Sequence, residues 1–309
     1  MKKYQKIVLA GGAGYLGGVL ADHHRELAHE VIILSRKAAP IKGNVLTIQW
    51  DGLNGGDWVN SLEDADLLVN LCGKSVNCRY TESNKQQIFD SRLIPTALLG
   101  RAIGQLAHPP KLWINVTSAT IYRHAEDHAQ DEVTGELGSG FSVQVCKQWE
   151  QVFFDAHTPF TRKVALRMGI VMGRDSAVFP LLMRLVKLGL GGRQGNGDQY
   201  VNWIHERDAA RMTEWLLQHP DLDGVVNATA PNAVRNRELM QMLRQSYGIP
   251  LGIPSPQWLL EIGAWLIGTE TELMLKSRWV APQRLLDSGY QFSFAHAKHA
   301  VNDILSTRT

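Results

Sequence analysis

The sequence predicts an α/β protein in which a doubly wound parallel sheet carries a smaller, mostly helical C-terminal lobe. In the first two-thirds of the chain, short β-branched runs alternate with longer segments of helical pattern. The short runs are continuously apolar, which is typical of strands buried on both faces. A glycine-rich turn follows the first of these runs and opens a helical segment, an arrangement typical of dinucleotide-binding sheets.

Six runs are predicted to be strands: 6–10, 30–35, 44–50, 66–71, 111–118 and 163–168. Segments long enough for crossover helices lie between most of them, including 14–28, 80–106 and 141–156. Parallel neighbours require such crossovers, so this order of elements favours a parallel sheet.

The alternation weakens beyond about residue 174, where a glycine-rich loop at 189–198 and several prolines interrupt the pattern. We therefore expect a sheet domain at 1–174, completed by about 203–230. The remaining segments, 175–202 and 231–309, are predicted to form the substrate-binding lobe.

Composition excludes several functional classes. The 309 residues include 32 basic and 30 acidic side chains, for a net charge of +2, and no Lys/Arg stripe appears. A nucleic-acid partner or an anionic membrane is therefore not expected. Cys72, Cys78 and Cys146 form no C-x-x-C pair, so neither a disulfide framework nor a zinc site is predicted, which fits a reducing cytoplasm.

No membrane segment is predicted either. The apolar run at 258–268 contains Glu261 and is shorter than the ~20 residues that cross a bilayer, so we expect a buried helix or part of a pocket wall. The apolar run at 7–10 is too short for a signal peptide. The prediction is a cytoplasmic protein with a small-molecule substrate, as a monomer or a homodimer.

The stretch AGGAGYLGG satisfies two glycine patterns of dinucleotide-binding turns. Such glycines allow a tight turn and close approach of the backbone to a pyrophosphate, which then meets the N–H groups of the following helix. The residues predicted to contact the cofactor here are Gly11, Gly14, Tyr15, Leu16 and Gly17.

The end of the second strand indicates which dinucleotide is bound. An acidic residue at this place would bind the ribose 2′-hydroxyl of NAD, but the strand ends in Ser35 and Arg36. A guanidinium can form a fork with a 2′-phosphate, and a serine can donate to it. The sequence therefore predicts NADP(H), with a solvated basic turn as the alternative.

With these features in place, the chain resembles the extended short-chain dehydrogenases/reductases, which have a Rossmann fold. The blocks that carry the resemblance are GGAGYLGG, NLCG (70–73), TSATIY (117–122), LRMGIVMG (166–173), WIHERD (203–208) and VNATAPN (226–232). More narrowly, it resembles the atypical branch called epimerase-family proteins, through DSR (90–92), LVKLGLGG (185–192) and SRWVAPQRLLDSGYQF (277–292).

The resemblance implies a catalytic set of Ser or Thr, Tyr and Lys. In that set the tyrosine exchanges a proton with the substrate, and the nearby ammonium lowers its pKa from about 10. Ser118 and Lys147 match the serine and the lysine, but the tyrosine position is Val143, which cannot transfer a proton.

Tyr122 is the nearest candidate for the missing phenol. It lies four residues after Ser118, in the loop that leaves the fifth predicted strand, where such folds place their active sites. It could serve as the proton donor, or its ring could pack in that loop with the hydroxyl bonded to a backbone carbonyl. Both interpretations remain open at this point.

The resemblance also implies further cofactor contacts. It places Leu71, Cys72 and Gly73 beside the cofactor, Gln87 and Arg92 on the helix that reaches it, and Val171 beside the nicotinamide. No arginine stands in the run 197–202, where sugar-nucleotide enzymes of this superfamily carry one, so such a substrate is disfavoured. His205 and Asp208 are expected to brace the helix that follows them.

The predicted function is therefore an NADP-dependent oxidoreductase or epimerase-like enzyme that acts on a small hydroxyl or carbonyl compound, possible sugar derivatives included. Ser118, Lys147 and Tyr122 are its candidate catalytic residues. The alternative is an NADP(H)-binding sensor or interaction protein without turnover. Val143 favours the alternative, whereas Ser118 and Lys147 favour the enzyme.

Overall fold

A computed structural model describes residues 2–258, 260–261 and 275–306 of the chain. Its main sheet has seven parallel strands in the order β10-β6-β5-β4-β1-β2-β3. These strands are β1 (Tyr4–Ala10), β2 (Ala28–Ser35), β3 (Val45–Gln49), β4 (Leu67–Asn70), β5 (Leu112–Ser118), β6 (Arg162–Met168) and β10 (Gly224–Ala228). The predicted doubly wound α/β fold is confirmed.

Helices cover both faces of this sheet, namely α1 (Tyr15–His24), α2 (Glu82–Ile103), α3 (Phe141–Asp155) and α5 (Glu206–Gln218). Side chains alternate across the sheet, so Ile7 and Leu9 enter one core while Val8 and Ala10 enter the other. The first core includes residues of α1 and α5, and the second includes residues of α2 and α3. Burial on both faces explains why the strands are apolar throughout.

A third core lies in the later part of the chain. It joins α4 (Phe179–Lys187), α6 (Asn236–Tyr247) and the C-terminal helix Ala297–Ser306. Two small sheets connect these helices to the main sheet: β7 (Ile170–Met172) pairs with β9 (Trp203–His205), and β8 (Tyr200–Val201) pairs with β11 (Val234–Arg235). A short helix, Gln283–Asp287, packs near β10.

Within the part of the chain that the structure describes, we find no helix with the length and apolarity needed to span a bilayer. Most of the apolar run at 258–268 lies outside the described residues.

His205 and Asp208 brace the start of α5, as the sequence predicts. Burial lowers the pKa of the His205 imidazole to about 4, and its Nδ1 accepts a hydrogen bond from the Arg207 amide at 3.2 Å. The Asp208 carboxylate accepts from the amides of Ser293 and Phe294 at 2.9 and 2.8 Å. The two side chains therefore cap the helix and fasten the C-terminal segment to it.

Candidate active site at the carboxyl edge of the sheet

The predicted site residues gather at one edge of the main sheet. Parallel strands end on the same side, so the segments that follow β1, β2, β4, β5 and β6 share the carboxyl edge. Gly11, Arg36, Cys72 and Ser118 lie in or beside these segments. This edge is where open α/β sheets bind their ligands.

The glycine turn has a shape that suits a bound pyrophosphate. A Cβ on Gly17 would lie 2.0 Å from the Gly12 carbonyl oxygen, so the helix start packs directly against the turn. Gly11 has a φ of +71°, which favours glycine, and a Cβ there would lie 2.8 Å from the Cys72 sulfur. Gly14 is different, because it is exposed and a Cβ on it would meet no atom within 4 Å.

The N-terminus of α1 is open to an anion. Gly14 is its N-cap residue and supplies no side-chain hydrogen bond, and the first turn carries no acidic residue. The first amides of a helix lack partners inside the helix, and the helix dipole favours negative charge at this end. The open space beside Gly14 and this helix end together form a cradle for phosphate.

Tyr15 and Leu16 are both partly buried and pack against neighbouring parts of the protein. The Tyr15 hydroxyl is buried with no hydrogen-bond partner among the described residues. It lies beside Gly173, next to the Glu206 carboxylate, whose pKa is raised by burial. Leu16 packs its side chain against the core shared by α1 and α5.

Arg36 is exposed at the end of β2, whereas Ser35 is buried. The Ser35 Oγ accepts a hydrogen bond from the Lys37 amide at 3.3 Å and keeps its own proton available. The positive charge of Arg36 reaches across the edge to Cys72, where it opposes the effect of burial, which raises the pKa of that thiol to about 12. The Arg36 guanidinium is near enough to Cys72 to lie at the carboxyl edge of the sheet. It has no carboxylate partner among the described residues.

Asn70 holds the backbone of the loop after β4 and was missed by sequence reasoning. Its Oδ1 accepts from the Cys72 amide at 3.1 Å, and its Nδ2 donates to Thr96 and Asn115 at 3.0 and 2.7 Å. The Leu71 amide donates to the Ala10 carbonyl at 2.8 Å. These bonds fix the Leu71–Gly73 loop beside the glycine turn. A polar residue ending an otherwise apolar strand was the available signal.

Gln87 and Arg92 lie on α2 with different surroundings. The Gln87 Oε1 accepts from the Lys74 ammonium at 2.6 Å. The Arg92 guanidinium lies against the Gly73 backbone and 5.2 Å from the Trp149 ring, and its Nη1 donates to the Ile88 carbonyl at 3.0 Å. Burial lowers the pKa of the Arg92 guanidinium, because its surroundings replace only part of the stabilisation that water gives to its charge.

Ser118 ends β5, and its Oγ accepts from the Thr120 amide at 3.2 Å, so its hydroxyl proton remains available. The Lys147 ammonium donates to the Gly138 carbonyl at 3.0 Å and keeps further donors. Val171, in β7, is partly buried and packs against the core. All three are partly accessible.

Val143 leaves the family's tyrosine position without a phenol. Its side chain is fully buried in a small apolar cluster with Ala119, Tyr122 and Val280, among others. The C-terminal segment thus covers the position from which a tyrosine would reach a substrate. A phenol at this position would overpack the cluster, at a cost of about 1–3 kcal/mol.

The Tyr122 ring is packed inside the protein, as in the second of its two interpretations. Its hydroxyl bonds to side chains rather than to a backbone carbonyl. It is fully buried, donates from its hydroxyl to Asn227 Oδ1 at 3.0 Å, and accepts from Arg167 Nη1 at 2.8 Å. Arg167 also forms a fork with Glu150, at 2.9 and 2.7 Å. Burial raises the pKa of the Tyr122 phenol, with Arg167 opposing that shift. The burial of the ring and these two hydrogen bonds favour the packing interpretation over the proton-donor one.

No cluster that could hold a metal ion occurs among residues 2–258, 260–261 and 275–306. At the carboxyl edge of the sheet, the Ser118 hydroxyl, the Lys147 ammonium and the Arg36 guanidinium lie near the open helix end at Gly14.

Comparison with known proteins identifies the family. Residues 7–228 match the NAD dependent epimerase/dehydratase family, and residues 255–304 match a domain of unknown function, DUF1731. The chain belongs to the NAD dependent epimerase/dehydratase family. The matched range contains the glycine turn, Ser118 and Lys147, and all of the main sheet except the first three residues of β1, and the predicted family membership is confirmed.

Curated relatives match over almost the full length. Epimerase family protein SDR39U1 from Mus musculus is 31% identical over 307 residues, which cover 97% of this chain and 100% of the relative. Epimerase family protein YfhF from Bacillus subtilis is 28% identical over 303 residues, covering 98% of each chain.

Two solved structures extend the comparison. Human epimerase family protein SDR39U1 (isoform2), solved with NADPH, is 29% identical with a TM-score of 0.87 and covers 98% of this chain and 100% of the human one. UDP-N-acetylglucosamine 4-epimerase from Methanobrevibacter ruminantium is 16% identical with a TM-score of 0.78, covering 99% and 98% of the two chains. The second likeness concerns the fold alone.

Proposed function

We propose that this protein is an NADP(H)-dependent oxidoreductase or epimerase-like enzyme that acts on a small hydroxyl or carbonyl compound. The observation that carries the proposal is the helix N-terminus at Gly14, which has no side-chain cap and has room beside its Cα, with Arg36 exposed at the end of the neighbouring strand. The presence of NADPH in the human relative supports the same cofactor here. The substrate would lie between the sheet domain, at 1–174 completed by about 203–230, and the later lobe.

The residues present fit this cofactor. The amides at the start of α1 would hold the pyrophosphate, and Arg36 with Ser35 would bind the 2′-phosphate. The Leu71–Gly73 backbone, Gln87, Arg92 and Val171 would border the rest of it. When bound, the nicotinamide supplies or accepts a hydride.

Ser118 and Lys147 would carry the chemistry. The Ser118 hydroxyl would donate to the substrate oxygen and orient the carbon that is reduced or oxidised. The Lys147 ammonium would bind the ribose and would move the proton directly or through water, which is supported by the burial of the Tyr122 hydroxyl and by the valine at position 143. Among the three catalytic candidates, Tyr122 would support the fold instead.

Exchanging Arg36 for alanine should remove the preference for NADPH over NADH. A charge-assisted fork with a 2′-phosphate contributes roughly 1.5–3 kcal/mol, so NADPH affinity should fall about 10- to 100-fold. The affinity for NADH, which lacks the 2′-phosphate, should change little. Fluorescence titration of both cofactors measures this, with Lys37→Ala as the matched control for loss of one exposed charge. A similar loss for both cofactors in Arg36→Ala would refute the assignment.

Turnover of three variants tests the catalytic assignment. In a screen of small carbonyl compounds with bound NADPH, Ser118→Ala should lose turnover and keep NADPH affinity, and Lys147→Ala should lose both. Tyr122→Phe should keep turnover and NADPH affinity, while its free energy of unfolding falls by about 1–3 kcal/mol because Arg167 and Asn227 lose a buried partner. Loss of turnover in a folded Tyr122→Phe protein would instead restore Tyr122 as proton donor.

The second candidate is an NADP(H)-binding protein without turnover. The buried position of Val143 and the sequestered Tyr122 hydroxyl favour it. It predicts tight NADPH binding by the wild type together with no oxidation of NADPH by any compound in the screen. The enzyme predicts measurable oxidation that depends on Ser118.

A further inference from the structure

Three cations between the end of β4 and the middle of α2 have no carboxylate partner among the described residues. They are Lys74, Arg79 and Arg92, and none forms a salt bridge within the described part of the chain. Basic side chains this close to a sheet edge are normally paired or fully solvated. Arg92 already has a place in the proposed cofactor site, so Lys74 and Arg79 remain to be explained.

Neutral amides hold Lys74 in place. Its ammonium donates to Asn84 Oδ1 at 2.8 Å and to Gln87 Oε1 at 2.6 Å. The Asn84 amide nitrogen in turn donates to the Arg79 carbonyl at 2.8 Å. Asn84 therefore ties the two cationic residues to the start of α2, and the side-chain partners of the ammonium among the described residues are neutral amides.

Arg79 is the more informative of the two. Its side chain is partly buried, and its Nη2 is completely buried without a hydrogen-bond partner among the described residues. Removing a charged donor from water without giving it a partner is costly. A ligand with an anionic group would supply the missing acceptor.

The loop that carries Arg79 lies beside the first turn of α3. The Tyr80 ring, next to Arg79, is 4.6 Å from the Phe141 ring, and its hydroxyl is 3.4 Å from the Ser142 Oγ. Phe141 and Ser142 form the first turn of α3, which has no side-chain cap and no acidic residue. Val143, at the family's tyrosine position, follows directly, and Lys147 lies one turn further along.

We propose that Arg79, assisted by Lys74, binds an anionic group of the substrate, a carboxylate or a phosphate. The proposal rests on the proposed function and specifies its substrate class. Arg79 can bind such a group through two parallel N–H···O bonds, and Lys74 adds a point charge. The group would anchor the substrate against the first turn of α3, which places its hydroxyl or carbonyl toward Ser118 and Lys147.

Calorimetric titration of NADPH-saturated protein with inorganic phosphate and, separately, with acetate tests this proposal. NADPH fills its own phosphate sites, so the titration reports on the substrate side. The wild type should bind at least one of the two anions, and Arg79→Gln should bind it at least 10-fold more weakly. Arg101→Gln, at an exposed arginine in the last turn of α2, should bind like the wild type. Which anion binds more tightly identifies the substrate group.

Lys74→Met is the second variant, in case Arg79→Gln does not fold, and it should weaken anion binding in the same direction. Wild-type protein that binds neither anion, or an Arg79→Gln protein that binds as tightly as wild type, would overturn the proposal. So would a 10-fold loss of NADPH affinity in Arg79→Gln, because the cation would then belong to the cofactor site. A fluorescence titration of the same wild-type protein with NADPH shows separately whether the cofactor site binds, so failure of anion binding and failure of the proposed function are distinguished.

Discussion

Replacing Gly14 by valine is expected to abolish NADPH binding and leave the protein folded. The backbone at Gly14 has a φ of −84° and a ψ of 177°, which any residue can adopt. A Cβ would meet no protein atom within 4 Å, so the fold has room for the side chain. That same room is the proposed place of the pyrophosphate. The affinity should fall by more than about 100-fold, or ~2.7 kcal/mol.

Gly18→Val is the matched control for this substitution. Gly18 is also exposed, also has open space at its Cβ, and lies one turn further along α1 on the solvent side. It should bind NADPH like the wild type. Comparable binding by the Gly14 and Gly18 variants in a fluorescence titration would mean that the glycine turn does not hold the cofactor.

Replacing Glu150 by glutamine is expected to have the largest effect on stability. Glu150 and Arg167 are both buried and are joined at 2.7 Å, and the same guanidinium holds the Tyr122 hydroxyl. Removing one charge leaves the other buried without an ionic partner. The free energy of unfolding should therefore fall by about 3–5 kcal/mol. Urea unfolding followed by circular dichroism measures the change.

The double variant Glu150→Leu/Arg167→Met separates a charge effect from a packing effect. Apolar replacement of both partners removes the uncompensated charge, so this protein should recover much of the stability lost by Glu150→Gln. Equal or greater loss in the double variant would show that the fork matters through its hydrogen bonds to neighbours such as Tyr122. Asp127→Asn, which weakens an exposed ion pair with Arg123, should change stability far less.

The sheet could be predicted from sequence because its strands are buried on both faces. The runs at 6–10, 111–118 and 163–168 begin and end within two residues of β1, β5 and β6. Continuous apolar runs, crossover lengths and the glycine turn all pointed to the same topology. The last strand, β10, is harder to assign because the chain first passes through part of the later lobe before it returns to the sheet.

The role of Tyr122 could not be predicted because its partners are distant in sequence. Arg167 lies 45 positions away and Asn227 lies 105 away, and only the folded sheet brings them together. An arginine inside the apolar run KVALRM was a signal that a buried ionic partner exists. The sequence did not say which carboxylate that partner would be.

Lys74 and Arg79 were also missed, for a different reason. On an anonymous loop they read as solvated charges, and only the burial of the Arg79 Nη2 and the amide contacts of Lys74 distinguish them. Single side chains that bind a ligand leave no periodic pattern in the sequence.

The use of NADP(H) by this chain is tested most directly by titrating the wild-type protein with NADPH and with NADH under identical conditions. NADPH should bind saturably and at least ~10-fold more tightly than NADH, because Arg36 is expected to bind the 2′-phosphate. Equal affinities for the two cofactors, or no binding of NADPH, would contradict it.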